Sequence, residues 1–187
     1  MDISNYSKTR IAASELNRER YVGVDNLLQN KQGKTVSSYV PTTGKLTRYE
    51  VGDILLGNIR PYLKKIWCAT NIGGTNGDVL VVHINENEKN LSPKFLYYLL
   101  ASDDFFNYSM QFAKGTKMPR GDKSAIMKYK IPIPSVSEQE RIVTILDKFD
   151  ALVNDISIGL PAELSARKSQ YEYYRGRLLT FNEYVPA

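Results

Sequence analysis

Residues 115–150 read GTKMPRGDKSAIMKYKIPIPSVSEQERIVTILDKFD. The first part is basic and is bracketed by Gly115 and Gly121. It runs into an extended, proline-spaced segment, Ile131-Pro-Ile-Pro134. Ser137 followed by Glu140 has the spacing of a capping box, so a helix is expected to open there. Behind it Ile142, Ile145, Phe149, Leu152 and Ile156 recur at steps of three, four, three and four. That alternation favours a seam against another helix over a broad stripe on a globular core. A loop suited to an anionic surface is thus joined to a helix suited to a partner.

The charge distribution sharpens this. Between Gln111 and Lys130 stand Lys114, Lys117, Arg120, Lys123, Lys128 and Lys130, against Asp122 alone. That surplus equals the net charge of the whole chain, +5. A concentrated basic patch is the footprint of phosphate binding. The competing explanation is a solvated loop whose charges only keep the protein soluble.

Other chemistry is scarce. One Cys (Cys68) and one His (His83) cannot build a zinc site, so no metal and no cofactor is expected. Cys68 reads as a core residue and His83 as a residue pointing off a strand. The first ten residues carry no apolar signal segment, and no apolar run approaches membrane-spanning length. A cytoplasmic protein without membrane contact is expected.

Along the chain, residues 1–20 are polar, and either pair with something absent or stay partly disordered. Residues 21–28 suggest a strand and turn, and 30–44 a loop. Strands are expected within 51–57, 65–69 and 78–84, the last dense in Val. Residues 71–77, Asn-Ile-Gly-Gly-Thr-Asn-Gly, read as a loop favouring positive φ. Ser92-Pro93 opens a helix, with Ser at the cap and Pro in the first turn. Ser102 starts another, carrying Phe105, Phe106, Met110 and Phe112 as core residues. The helix from Ser137 is expected to reach Ser157. Gly159-Leu-Pro161 then breaks it, and a last helix, residues 162–179, repeats apolar positions at Leu164, Tyr171 and Leu178. The fold class is α+β: a recognition domain over 1–135, then a helical region over 136–187.

Enzyme motifs are missing. There is no P-loop, no Glu followed two residues later by Lys, and no polar-Pro-Pro-aromatic turn of a DNA methyltransferase. Glu138 and Glu140 are better explained by the helix dipole than as an acid/base pair. No catalysis by this chain is expected.

Five segments together resemble the specificity (S) subunit of type I restriction–modification systems. They are GDILLGNIRPY (52–62), GGTNGDVLVV (73–82), FLYYL (95–99), IPIPSVSEQERIVTILDKFD (131–150) and GLPAELSARKSQYEYYRGRLLTF (159–181). The resemblance covers about residues 20–181. It implies a target-recognition domain that reads half of a split site in double-stranded DNA. It also implies a helical region that docks methyltransferase subunits, with methylation and cleavage left to partner methyltransferase and restriction subunits. Such subunits carry two recognition domains and two helical regions, whereas this chain matches one of each. A truncated chain, a split subunit and a half-subunit that pairs with another half all remain open.

Within that frame Asn58, Arg60, Asn76, Lys117 and Arg120 are candidates for reading bases, because Arg and Lys bridge guanine O6 and N7 while Asn bridges adenine N6 and N7. A turn-stabilising role competes for Asn58 and Asn76. Lys64, Lys65, Lys114, Lys123 and Lys128 are candidates for phosphate positioning. Ile142, Ile145, Phe149, Leu152, Ile156, Leu164, Tyr171 and Leu178 form the candidate partner interface, with the monomer as its alternative. Two other functions compete: a decoy that binds a methyltransferase through its helices without reading DNA, and a small DNA-acting enzyme with an unfamiliar site.

Overall fold

Ile54, Leu55, Leu56 and Gly57 are all buried, and a strand covered on both faces organises everything around it. The computed structural model describes residues 3–150 and residues 166, 167, 169, 170, 173 and 174. The chain divides into two units, Met1–Val143 and Thr144–Ala187.

The first unit holds eight strands: β1 (Ser4–Tyr6), β2 (Arg10–Ala12), β3 (Tyr21–Val22), β4 (Lys45–Tyr49), β5 (Ile54–Gly57), β6 (Ile66–Cys68), β7 (Gly73–Thr75) and β8 (Val79–Ile84). They form two four-stranded sheets, ordered β1-β8-β5-β6 and β2-β4-β7-β3. Successive side chains of a strand point to opposite faces. Ile54 and Leu56 of β5, with Leu80 and Val82 of β8, therefore enter one core. That core is completed by Phe95, Leu96 and Leu100 of α1 (Pro93–Leu100) and by Phe105 and Phe106 of α2 (Asp103–Gln111). Leu55, Val79 and Val81 enter a second core with Val22, Leu27 and Tyr49. This two-sided burial is why residues 79–82 read Val-Leu-Val-Val without alternation.

The helix starts expected at Ser92 and Ser102 both form. The Ser92 hydroxyl accepts the Phe95 N–H, and the Ser102 hydroxyl accepts the Phe105 N–H. A short helix, α3 (Lys123–Met127), forms within the basic segment that was expected to be loop; Asp122 caps it by accepting the Ser124 and Ala125 N–H groups.

Four expectations need correction. The polar N-terminal residues are ordered edge strands: β1 pairs with β8 and β2 with β4. The 71–77 segment is not all loop, since Gly73–Thr75 is β7, paired with β3 and β4. Gly73 and Gly74 serve close packing, because an added Cβ at Gly73 would collide with the Arg20 carbonyl and the Tyr49 hydroxyl, and one at Gly74 with Ile11. Phe112 leaves the core and is exposed, resting on Tyr108 with ring centroids 5.0 Å apart. The last described helix of the first unit starts at 136, not after Ser137: Ser135 is its cap, accepting the Glu138 N–H on Oγ and the Gln139 N–H on its carbonyl. The earlier start brings Gln139 into the core of the first unit, where it is fully buried.

Helix continues through residue 150. Ile142 and Val143 lie against the first core, while Ile145 and Phe149 are exposed. The six separately described positions between 166 and 174 are helical. Leu152, Ile156, Leu164, Tyr171, Leu178 and the 159–161 break lie outside the described residues. Among the described residues no helix is long and apolar enough to cross a membrane.

Candidate nucleic-acid interface

Past the end of β5, backbone groups bond both to Asp78, just before β8, and to the basic loop. Asn58 N–H donates to the Asp78 carbonyl at 2.8 Å, and its own carbonyl accepts the Gly121 N–H at 3.2 Å. Ile59 pairs antiparallel with Arg120. Arg60 N–H donates to the Pro119 carbonyl at 2.7 Å. The loop also closes on itself, because Lys114 and Arg120 exchange N–H···O bonds of 2.9 and 2.8 Å. Gly115, at φ +103°, allows the tight return.

Arg60 and Lys64 both adopt left-handed backbone, at φ 52° and 50°, around the short turn Pro61–Leu63. Non-glycine residues hold that conformation at a cost of about 1–3 kcal/mol each, and such strain gathers at functional sites. Here the neighbours enforce it: Leu63 and Lys64 carbonyls accept the Asn30 and Lys31 N–H groups.

The structure brings Asn58, Arg60, Lys114 and Arg120 together, with Asn76 adjoining through Asp78. Arg120 is exposed, and its Nη2 lies 3.1 Å from Asp78 Oδ1. Lys114 Nζ lies 3.1 Å from Asp122 Oδ2. The Ala125 N–H and the Lys114 ammonium hold the Asp122 carboxyl below its usual range. Lys117 is exposed at the tip, beside the exposed Met118. Asn76 Oδ1 accepts the Asp78 N–H, a turn-stabilising bond. Asn58 is buried under Gly121, and its Oδ1 and the Arg60 Nε are buried without a hydrogen-bond partner.

Other candidates stand apart. Lys64 Nζ and Lys31 Nζ each lie 2.9 Å from Asp103 Oδ1. Hydrogen bonds from Lys64 and Lys31 pull the Asp103 carboxyl down to about 2. Lys65 Nζ donates to the Val24 carbonyl at 2.6 Å, and burial pushes its amine below the ordinary value. Lys123 and Lys128 are exposed at the two ends of α3, and the Lys123 carbonyl accepts the Tyr6 hydroxyl. Among the described residues no group of three or more His, Cys, Asp or Glu could hold a metal ion. Sequence reasoning missed Asp78, Asp103 and Lys31. Only Asp122 carried a local signal, as an acceptor just before a short apolar-periodic segment.

The family model described as "Type I restriction modification DNA specificity domain" matches residues 74–166. A type I restriction enzyme specificity subunit of Escherichia coli is 40% identical over 93 residues, which are 50% of this chain and 23% of that protein. The chain belongs to the type I restriction–modification specificity family. A putative type I specificity subunit of Mycoplasma pneumoniae is 29% identical over 182 residues, covering 89% of this chain and 55% of that one. The HsdS subunit from Thermoanaerobacter tengcongensis has the same fold, with a TM-score of 0.64 and 21% identity over 96% of this chain and 46% of that one. The chain therefore spans about half, or less, of these specificity-family relatives.

Proposed function

We propose that this chain is a DNA-reading specificity module of a type I restriction–modification complex. It recognises one half of a bipartite duplex target through the loop at 114–121 and the turn at 58–64. The observation that carries this is the double fastening of the loop, to itself through Lys114–Arg120 and to β5 through Asn58, Ile59 and Arg60. A preorganised loop presents Lys117 and Arg120 with its backbone already ordered, which removes that part of the ordering penalty on binding. The recognition domain is residues 1–135, and residues 136–187 form the helical region that docks methyltransferase and restriction subunits and pairs with another half-subunit. Catalysis belongs to those partners, in the cytoplasm.

The test is selection of duplexes from a random-sequence pool by the full chain, followed by affinity measurement at several salt concentrations. Lys117→Ala and Arg120→Ala should each weaken binding by about 1–3 kcal/mol and relax preference at one base position. Binding unchanged in both variants, or methyl transfer by the pure chain, contradicts the proposal.

A further inference from the structure

We infer that Asp78 is a positioning residue for base recognition, holding the Arg120 guanidinium in the orientation from which it meets a guanine. This rests on the DNA-reading function proposed above. The Asp78 Oδ1 to Arg120 Nη2 contact is 3.1 Å. Both backbones are pinned. The Asp78 N–H donates to Asn76 Oδ1 at 3.1 Å, and its carbonyl accepts the Asn58 N–H at 2.8 Å. Arg120 bonds Lys114 through both its N–H and its carbonyl. The backbone at each end of the ion pair is therefore held in place.

An arginine side chain left alone samples many rotamers, and ordering it on binding costs affinity. Asp78 restricts that sampling in the free protein. The carboxylate engages one terminal nitrogen. The guanidinium carries five N–H donors in a planar fork, so donors remain for guanine O6 and N7. As a source of stability the pair is weak, because its side chains are 60% and 36% exposed. Its value is orientation. The same negative charge repels phosphate, which discourages Arg120 from settling on the sequence-independent backbone instead of a base.

The experiment compares the full-length wild type, Asp78→Ala, Arg120→Ala and the double variant by selection from a random duplex pool. Asp78→Ala should reduce base discrimination by about 5- to 20-fold at a single position, within the range one bidentate contact supplies. That position should be the one Arg120→Ala relaxes, and the double variant should be no worse than Arg120→Ala alone. The thermal midpoint of Asp78→Ala should stay within about 2 °C of wild type, as for a weak exposed pair. Relaxation at a different position, or additive losses, would mean that Asp78 touches a base itself and overturns the inference. An effect of Arg120→Ala with none for Asp78→Ala also overturns it, while leaving DNA reading intact. A wild type without sequence preference removes both.

Discussion

The fully buried Gln139 and the half-buried Ser92 are joined by a hydrogen bond: the Gln139 Oε1 accepts the Ser92 N–H at 2.9 Å. The same carboxamide donates through Nε2 to the Asn90 carbonyl at 2.7 Å and to the Pro134 carbonyl at 2.9 Å. One side chain from the helix that begins at 136 thus closes the cap of α1 and the end of the proline-spaced segment.

Replacing Gln139 with Leu removes the side-chain partner of three part-buried backbone groups. The expected cost is about 1–3 kcal/mol of folding stability, since each group that loses its partner carries part of a desolvation penalty. The urea midpoint measures this. A loss below about 0.5 kcal/mol would show that water replaces the carboxamide at no cost.

Asp103 holds two lysines at once, so it masks positive charge beside the Pro61–Leu63 turn. Asp103→Asn should tighten binding to all duplexes alike. The slope of log affinity against log salt should steepen by about 1, as one more phosphate contact releases a counterion. Asp104→Asn on the same first turn of α2 removes the same charge without freeing that pair, and should change the slope less. Equal slopes in both variants contradict the masking.

The depressed Asp103 pKa also sets a pH dependence. It is about 2 in the folded chain, against about 3.9 for an unfolded aspartate. The folded state binds fewer protons in that interval, so the group's contribution is full above about pH 4 and is lost as pH falls toward 2. Wild-type stability should fall more steeply across this window than that of Asp103→Asn. Coincident profiles would refute the linkage.

Gly121 and Gly77 offer a matched pair. A Cβ at Gly121 would lie 2.9 Å from Asn58 Oδ1 and 3.3 Å from Ile126 Cδ1, whereas one at Gly77 meets nothing within 4 Å. Gly121→Ala should cost about 1–3 kcal/mol by overpacking and should weaken DNA binding by displacing the loop. Gly77→Ala should be neutral or stabilise by up to about 1 kcal/mol, through a less free unfolded chain. The reverse order would contradict the packing described.

Phe149 is exposed on the helix within its own chain. If the helical regions pair, Phe149→Glu with Leu152→Glu should yield a monomer by light scattering while the recognition domain keeps its unfolding transition. Two such chains related by a two-fold axis must read identical half-sites in opposite directions. A monomeric wild type at tens of micromolar, or a non-palindromic target, would count against pairing.

Features governed by neighbours in sequence were legible. Ser92 and Ser102 cap their helices because the amides they accept lie three residues on. The apolar runs at 54–56 and 79–82 are strands because both faces are covered. Features governed by distant chain were not. Gly73 and Gly74 look like loop residues until Arg20, Tyr49 and Ile11 are seen against them. Ser135 displaced Ser137 as cap because Gln139 had a buried place to fill, made by residues 90–92. The basic cluster at 114–128 was visible as charge, but Asp78, the partner of Arg120, comes from another element, as does Asp103, the partner of Lys31 and Lys64, and no local pattern announces them.

The bonds that fasten the 114–121 loop run main chain to main chain: Lys114 to Arg120, Arg60 to Pro119, Gly121 to Asn58. Side chains at 116–118 take no part in them. The loop can therefore exchange those residues for others while its anchorage persists. On the proposed DNA-reading role, a protein built this way can acquire a new DNA vocabulary by point substitution, without first solving its folding problem again.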